Sequence, residues 1–253
     1  MAANPDRTGG APLTPPDPAE EVAVWWLATD AVSPTDLRRW RDMLDPDERA
    51  RAARFHFELD RREFIAAHVL LRALLSSRAD APARAWRFLT DEYGKPRIDP
   101  SLGRPDLSFS LSHTRGLVAV AAASHGAIGV DVERIDAGKA DDGVAEAYFA
   151  PSEAELLRRT PVADRAQCFF RLWTLKEAYV KAMSVGLSMR LDSFAFSLDP
   201  IRIRFPKGSS VEARDWRFAT LPTTGEHVLS LAMRHPAGEA ARLAPRALAP
   251  GEV

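Results

Sequence analysis

Two long stretches of helical apolar spacing, each followed by short strand-like runs, constrain this chain more than any other feature. From Pro46 to Ser76 the residues Phe55, Phe64, Val69, Leu70, Leu71, Leu74 and Leu75 supply a buried stripe, with Arg and Glu on the opposite face. The second stretch runs from about 164 to 183 and is preceded by shorter helical patterns at 143–148 and 152–159. The run EVAVWWL at 21–27 reads as a strand, as do 85–89, 107–111 and 117–123. Ser124-His125-Gly126 then predicts a turn into 127–133 as a hairpin partner, and further strand-like runs lie at 193–198, 201–205, 216–220 and 227–233. The order of elements therefore occurs twice without a sequence repeat of fixed period. An α+β fold of two halves follows, each a long helix beside a small antiparallel sheet.

The predicted N-terminal half covers 21–126 and the C-terminal half 127–235. Residues 1–20 hold five of the 19 prolines and almost no large apolar side chain, which predicts a disordered tail. The Ala/Pro-rich stretch 236–253 reads as a second flexible tail.

Charge excludes some classes of function. The 34 Lys and Arg against 35 Asp and Glu leave a formal charge of -1, so no global basic field points to nucleic acid. Nowhere do 18 apolar residues follow one another, and no basic segment leads into an apolar run near the start, so neither a membrane span nor export is expected. The single cysteine, Cys168, rules out an intramolecular disulfide framework and a multi-cysteine zinc site, and a reducing cytoplasm is the plain expectation. Cys168 itself lies in an apolar helical segment and reads as a small core residue. Phosphate-binding P-loops, GxGxxG and GxSxG elbows do not occur.

Four segments carry charged or polar groups at useful spacings. In Gly129-Val-Asp-Val-Glu133, strand alternation puts Asp131 and Glu133 on one face and Val130 and Val132 on the other. Neighbouring carboxylates repel, so the pattern fits either a solvated strand face or a bound cation such as Mg²⁺, for which hard oxygen ligands suit. In FFRLWTLKEAYVK at 169–181, Trp173, Glu177 and Lys181 share a helix face that begins apolar and ends in an acid and a base. That face fits a helix emerging into a cleft, or an i,i+4 surface pair worth about 0.2–0.5 kcal/mol. In Asp91-Glu-Tyr-Gly-Lys-Pro96 a turn fixes Lys95, and in Ser110-Leu-Ser-His-Thr114 His113 lies between Ser112 and Thr114. Both fit phosphate ligands, and both also fit an ordinary turn and a hydrogen-bonded loop histidine.

Together the segments LDPDERARAARFHFELDRREFIAAHVLLRALL, YGKP, FSLSHT, GVDVE and FRLWTLKEAYVKAMSVGLS, in this order, resemble the Sfp-type 4'-phosphopantetheinyl transferases. The resemblance runs from about Leu44 to Phe196 and is carried chiefly by GVDVE and WTLKEAYVK about 40 residues apart with an upstream Ser-His-Thr. It implies a pseudodimer of two similar halves, monomeric in solution, with coenzyme A bound between them as donor and an acyl- or peptidyl-carrier protein as acceptor. It implies Asp131, Glu133 and Glu177 as ligands of Mg²⁺, or of Mn²⁺ in its place. Arg51, Lys95, Ser112, His113, Lys176 and Lys181 are implied as cofactor-binding residues, with Lys181 on the pyrophosphate.

The reaction so implied is attack of a carrier serine on the β-phosphorus of coenzyme A, with Glu177, Lys181 and His113 as the catalytic residues. Glu177, Glu153 and a metal-bound water are the alternatives for the general base. A non-catalytic coenzyme A- or carrier-binding module and a different Mg²⁺-dependent phosphoryl or nucleotidyl transferase are the competing functions. The expected carrier-docking surface spans 147–160 and 183–190, with Arg158, Arg159, Met183, Met189 and Arg190. Two positions depart from the family pattern: Ser184 stands where a glycine is usual, and Glu48 occupies a position near the 3'-phosphate that can be basic in relatives.

Overall fold

The computed structural model describes residues 21–79, 81–91, 94–184, 189–206, 211–235 and 241–253. The tail expected over 1–20 lies outside them.

In the N-terminal half, strand β1 (Glu21–Ala28) leads into α1 (Pro34–Arg41), α2 (Pro46–Ala53) and the long α3 (Glu58–Arg78). A small ribbon of β2 (Phe88–Thr90) and β3 (Pro96–Ile98) follows, then β4 (Ser108–Thr114) and β5 (Leu117–Ala123). The C-terminal half runs through β6 (Ala127–Arg134), α4 (Asp142–Tyr148), α5 (Pro151–Arg159), the long α6 (Val162–Met183), a ribbon of β7 (Ala195–Leu198) and β8 (Ile201–Arg204), β9 (Arg217–Leu221) and β10 (His227–Arg234). A last strand, β11 (Arg242–Leu248), follows, with a single 3-10 turn after it (Pro250–Glu252). The short helices begin where the sequence provides caps: Ser33 and Asp45 each accept a hydrogen bond from the backbone three residues on, and a proline stands first in each helix.

The larger sheet has the order β11-β1-β5-β4 and the smaller β6-β10-β9. Three cores stack across them. Helix α3 packs Leu70, Leu71 and Leu74 on Leu27, Val118 and Val120. Helix α6 packs Leu175, Ala178 and Tyr179 with Val228 and Ala232. Between the sheets, Val22, Val24 and Ala121 meet Ile128, Val130 and Leu231. Strand β5 is buried along its whole length because both its faces belong to a core. Each large apolar side chain sealed in this way contributes about 1.5–3 kcal/mol.

Two expectations change here. Residues 127–133 do not form a hairpin with β5, whose two edges are already held by β1 and β4; β6 pairs instead with β10 in the other sheet. Gly126 makes this passage between halves, with φ 89° and a backbone so close to the Arg234 carbonyl that a Cβ would lie 1.9 Å from it. The stretch 236–253 is not a flexible tail throughout: residues 242–248 lie parallel to β1 from Glu21↔Arg242 to Leu27↔Leu248. Pro and Ala disguise this strand in the sequence, but Pro245 is tolerated because β11 is an edge strand.

Candidate active site

The seam between the halves opposite β11 is made by β4 and β6, and their side chains bridge it. Ser110 Oγ accepts from the Val130 amide at 3.0 Å, Ser112 Oγ donates to Asp131 Oδ1 at 2.8 Å, and Thr114 Oγ1 donates to Glu133 Oε2 at 3.3 Å. On β6 the alternation places Val130 and Val132 in the core between the sheets. Gly129, two positions before Asp131, lets α6 approach the strand: a Cβ there would lie 1.9 Å from the Ala178 carbonyl and 2.6 Å from the Ala182 amide. That approach brings the last turns of α6 to the acids. Lys181 Nζ lies 2.7 Å from Asp131 Oδ1 and donates to Ser112 Oγ at 2.8 Å.

Asp131 is 4% exposed, and its second oxygen, Oδ2, is buried with no hydrogen-bond partner. A carboxylate oxygen left so is costly without a ligand. Burial, and then the charge of Asp131, push the Glu133 carboxyl up to about 7, against the pull of Thr114 and Lys181. Burial and Asp131 likewise raise the Glu177 carboxyl above its ordinary value, with Lys181 opposing. Among the described residues no group of three His, Cys, Asp or Glu side chains converges on one point closely enough to hold a metal ion, and the Lys181 ammonium rests on Asp131. The donor chemistry still suits a hard cation: an orphaned buried carboxylate oxygen and two carboxyls whose ionisation Asp131 opposes.

A cleft of about 270 Å³ opens beside this node, lined by Lys95, Pro96, Phe109 and Leu111 from the N-terminal half and by Glu177, Val180, Lys181 and Ser184 from α6 and its end. A further cavity of about 460 Å³ continues from it past Lys95, Arg97 and Arg104. Lys95 stands at their junction, its Nζ donating to the Lys181 carbonyl at 2.5 Å and to Ser184 Oγ at 2.9 Å. Burial, then the nearby Arg97, bring the Lys95 ammonium down to about 8.

His113 is on β4 but on the face turned to α3, with Nδ1 3.9 Å from Glu63 Oε2. Its imidazole is held below the ordinary value by burial, then by the charges of Lys181 and His68, with Arg51 adding to them. Lys181, His68 and Arg51 therefore all stand near His113. Arg51 lies over the Phe64 ring at 5.3 Å, and His68 stacks on the same ring with centroids 4.1 Å apart. Sequence reasoning did not single out His68. Its Nδ1 lies 2.8 Å from Glu48 Oε1, so Glu48 turns inward to His68 and to the buried Arg72 at 2.6 Å.

Two residues named from sequence belong elsewhere. Lys176 is fully buried in the C-terminal core, where its Nζ lies 2.8 Å from Glu153 Oε2 and donates to the Leu191 and Phe194 carbonyls at 2.7 and 2.8 Å. It is not placed to bind a cofactor. Glu153, its partner, also accepts from the Phe196 and Ala150 amides at 2.7 and 2.9 Å and so does not face the site as a base. Adjacent residues on a helix diverge by 100°, which is why Lys176 points into the core while Glu177 lines the cleft.

Of the expected docking segments, Arg158 and Arg159 are exposed and share Glu155 at 2.8 and 2.6 Å, and Arg190 pairs with Asp192 at 2.6 Å. Met189, Tyr148, Trp173 and Glu177 line a cavity of about 460 Å³ on the far side of Glu177. Met183 packs against the C-terminal core, and residues 185–188 lie outside the described residues.

Comparison with known proteins gives two family matches that meet at Gly126. Residues 31–125 match the family described as 4'-phosphopantetheinyl transferase, N-terminal, and residues 127–232 match the 4'-phosphopantetheinyl transferase superfamily. The 4'-phosphopantetheinyl transferase HetI of Nostoc is 33% identical over 182 residues, covering 72% of this chain and 76% of HetI. A phosphopantetheinyl transferase of Thraustochytrium is 30% identical over 256 residues, covering 93% of this chain and 88% of its own. The 4'-phosphopantetheinyl transferase Sfp of Bacillus subtilis is 30% identical over 167 residues, covering 66% and 72%.

Proposed function

This chain belongs to the 4'-phosphopantetheinyl transferase family, Sfp-type, and from that premise we propose that it transfers 4'-phosphopantetheine from coenzyme A to a serine of an acyl- or peptidyl-carrier protein. The observation that carries the reading is the node in which Lys181, Ser112 and Asp131 meet beside Glu133 and Glu177, at the mouth of a cleft between the halves. In the reaction a bond forms between the carrier serine Oγ and the β-phosphorus, and the bond from that phosphorus to the bridging oxygen breaks. Adenosine 3',5'-bisphosphate leaves with the electron pair, and the serine gives up its proton.

The residues divide this work. Lys181 and Lys95 bring ammonium groups to the cleft, and Arg51 and His113 lie close by as further hydrogen-bonding groups, a set that suits a donor carrying a pyrophosphate and a 3'-phosphate. Lys181 stabilises negative charge that grows on the pyrophosphate oxygens, an effect aimed at the transition state. Glu177 is the general base of this reading because it lines cavities on two sides, one toward the donor and one toward Tyr148 and Met189. Asp131, Glu133 and Glu177 would hold Mg²⁺, or Mn²⁺ in its place. Such an ion, when bound, supplies Lewis-acid neutralisation of the pyrophosphate charge.

No helix among the described residues is long and apolar enough to cross a membrane. A monomer acting in the cytoplasm on carrier proteins, with no nucleic-acid partner, completes the reading. It is tested by incubating the protein with coenzyme A, Mg²⁺ and apo carrier protein and weighing the intact carrier. A gain of one phosphopantetheine is the expected result; no gain on any of several acyl- and peptidyl-carriers overturns it.

A further inference from the structure

Ser184 is the only non-glycine residue among those described with a positive φ, at 56°. It ends α6 in the left-handed conformation, its amide bonded to the Lys181 carbonyl, a position where glycine costs least. A serine there is strained relative to glycine, so the side chain must return something to the structure. What it returns is visible. Ser184 Oγ accepts from Lys95 Nζ at 2.9 Å, and the same ammonium donates to the Lys181 carbonyl at 2.5 Å. Lys95 comes from the N-terminal half, in a turn closed by the Asp91 carboxylate, which accepts from the Lys95 amide at 2.9 Å, and by the Asp91 amide, which donates to the Lys95 carbonyl at 2.9 Å. Both Lys95 and Ser184 line the 270 Å³ cleft and the 460 Å³ cavity, so their contact stands where the two spaces join.

We propose that Ser184 is a positioning residue: its hydroxyl holds the Lys95 ammonium across the junction of the two cavities, and thereby sets the cation that receives a phosphate of the donor. The proposal rests on the reading that the cleft binds coenzyme A, and it concerns a residue that need not touch the cofactor. Two features favour it over a purely structural role for the contact. Among the described residues the Lys95 Nζ contacts two neutral oxygens, the Lys181 carbonyl and Ser184 Oγ, which an anion can displace or share. And the backbone conformation would be satisfied more easily by glycine, which leaves the hydroxyl as the gain.

The test compares Ser184→Gly, which keeps the left-handed conformation and removes the acceptor, with Ser184→Asn, which tolerates that conformation and restores a side-chain oxygen. Coenzyme A binding is measured by calorimetry, and kcat and KM for coenzyme A by carrier labelling, beside thermal unfolding. Ser184→Gly should raise Kd and KM for coenzyme A about 5- to 10-fold, leave kcat within about 2-fold, and leave the unfolding temperature unchanged or higher. Ser184→Asn should return Kd to within about 2-fold of the native protein. In the Lys95→Met background, Ser184→Gly should have no further effect.

A Ser184→Gly protein that binds coenzyme A as the native one does overturns the proposal, as does a Ser184→Gly effect that persists undiminished without Lys95. If the native protein binds coenzyme A but labels no carrier, the transferase reading fails while the binding comparison still decides the role of Ser184. If it does not bind coenzyme A at all, both fall.

Discussion

The long helices of the two halves bury the same device at the same place, and the halves part company one residue later. On α3, Arg72 is sealed in the core, pairs with Glu48 at 2.6 Å and donates to the Ala83 and Trp86 carbonyls at 3.0 and 2.8 Å. On α6, Lys176 is sealed likewise, pairs with Glu153 at 2.8 Å and donates to the Leu191 and Phe194 carbonyls. Glu48 and Glu153 are each the third residue of the short preceding helix, and each accepts from the backbone amide that begins it. The strand orders β1-β5-β4 and β6-β10-β9 correspond as well. The next helical position, however, is Ala73 on one side and Glu177 on the other. Aligning Val22 and Val24 with Ile128 and Val130, both pairs facing the core between the sheets, sets Trp25 and Leu27 opposite Asp131 and Glu133. One frame occurs twice, and the three carboxylates of the candidate site, Asp131, Glu133 and Glu177, all stand on the C-terminal copy.

This comparison is most directly broken at the acids. Replacing Asp131 with Asn should lower kcat/KM for transfer by about 10²–10³-fold, the scale of losing one preorganised electrostatic contact, while circular dichroism and the unfolding temperature stay near native. Trp25→Phe, at the corresponding position of the other half, should move activity by less than 2-fold. An Asp131→Asn protein that labels carrier at the native rate would remove the site from this strand.

The buried cations sharpen the comparison in stability. Lys176→Met leaves Glu153 buried with two backbone amides and no charge partner, which costs about 3–5 kcal/mol for a broken buried pair. Arg72→Met should cost less, because Glu48 keeps His68 at 2.8 Å. Denaturant unfolding distinguishes the two, and adding Glu153→Gln to Lys176→Met should recover part of the loss. Equal costs, or a larger one for Arg72→Met, would mean that His68 does not compensate Glu48.

The buried pair also explains what the sequence could and could not disclose. The α+β class is legible because strand and helix periods differ, and the same arithmetic puts Asp131 with Glu133 on one strand face and Glu177 with Lys181 on one helix face; only the resemblance joins them, with Ser112, in one site. The place of Lys176 is not legible from the Lys-Glu pair of the motif, because one helical step separates the cleft, where Glu177 stands, from the core, where Lys176 is buried. Strand β11 escaped because its Ala- and Pro-bearing run gains its conformation from the free edge of β1, a partner over 200 residues away. The Lys95–Ser184 contact likewise depends on the two halves meeting, and nothing local in YGKP or MSVGLS encodes it.

The two sides of the cleft should also differ in their response to pH. Lys95 titrates at about 8 in the folded chain, mainly because it is buried, against 10.5 for the free side chain. Below 8 it is charged in both states and the folded state bears the cost of burying the charge. Between about 8 and 10.5 the unfolded chain binds the extra proton, so stability rises with pH across this window and the contribution is flat above it. Donor binding has the opposite sense, since it needs the ammonium: kcat/KM for coenzyme A should fall several-fold between pH 8 and 9. The Lys95→Met protein should begin lower and show a flatter profile over that interval. A native profile that stays level to pH 9 would assign the phosphate contact to other cations.

The smallest effect separates the outer surfaces of the halves. Arg158 and Arg159 end α5 in the C-terminal half, exposed and sharing one partner, Glu155. Surface pairs of this kind are worth about 0–1 kcal/mol, so reversing the charges should barely alter stability. A carrier that presents carboxylates to the side of the molecule bearing Glu177 would nonetheless meet a changed field. Arg158→Glu with Arg159→Glu should raise KM for the carrier about 3- to 10-fold, with kcat and KM for coenzyme A unmoved, because rim charges act chiefly on the rate of encounter. Arg54→Glu, at the end of the corresponding α2, should leave all three unchanged. In 1 M salt, where the Debye length is about 3 Å, the reversed and native proteins should converge. A carrier KM that is indifferent to both reversals would move docking away from α5, and an equal response to both would mean that the carrier senses the net charge of the whole molecule and no particular face of it.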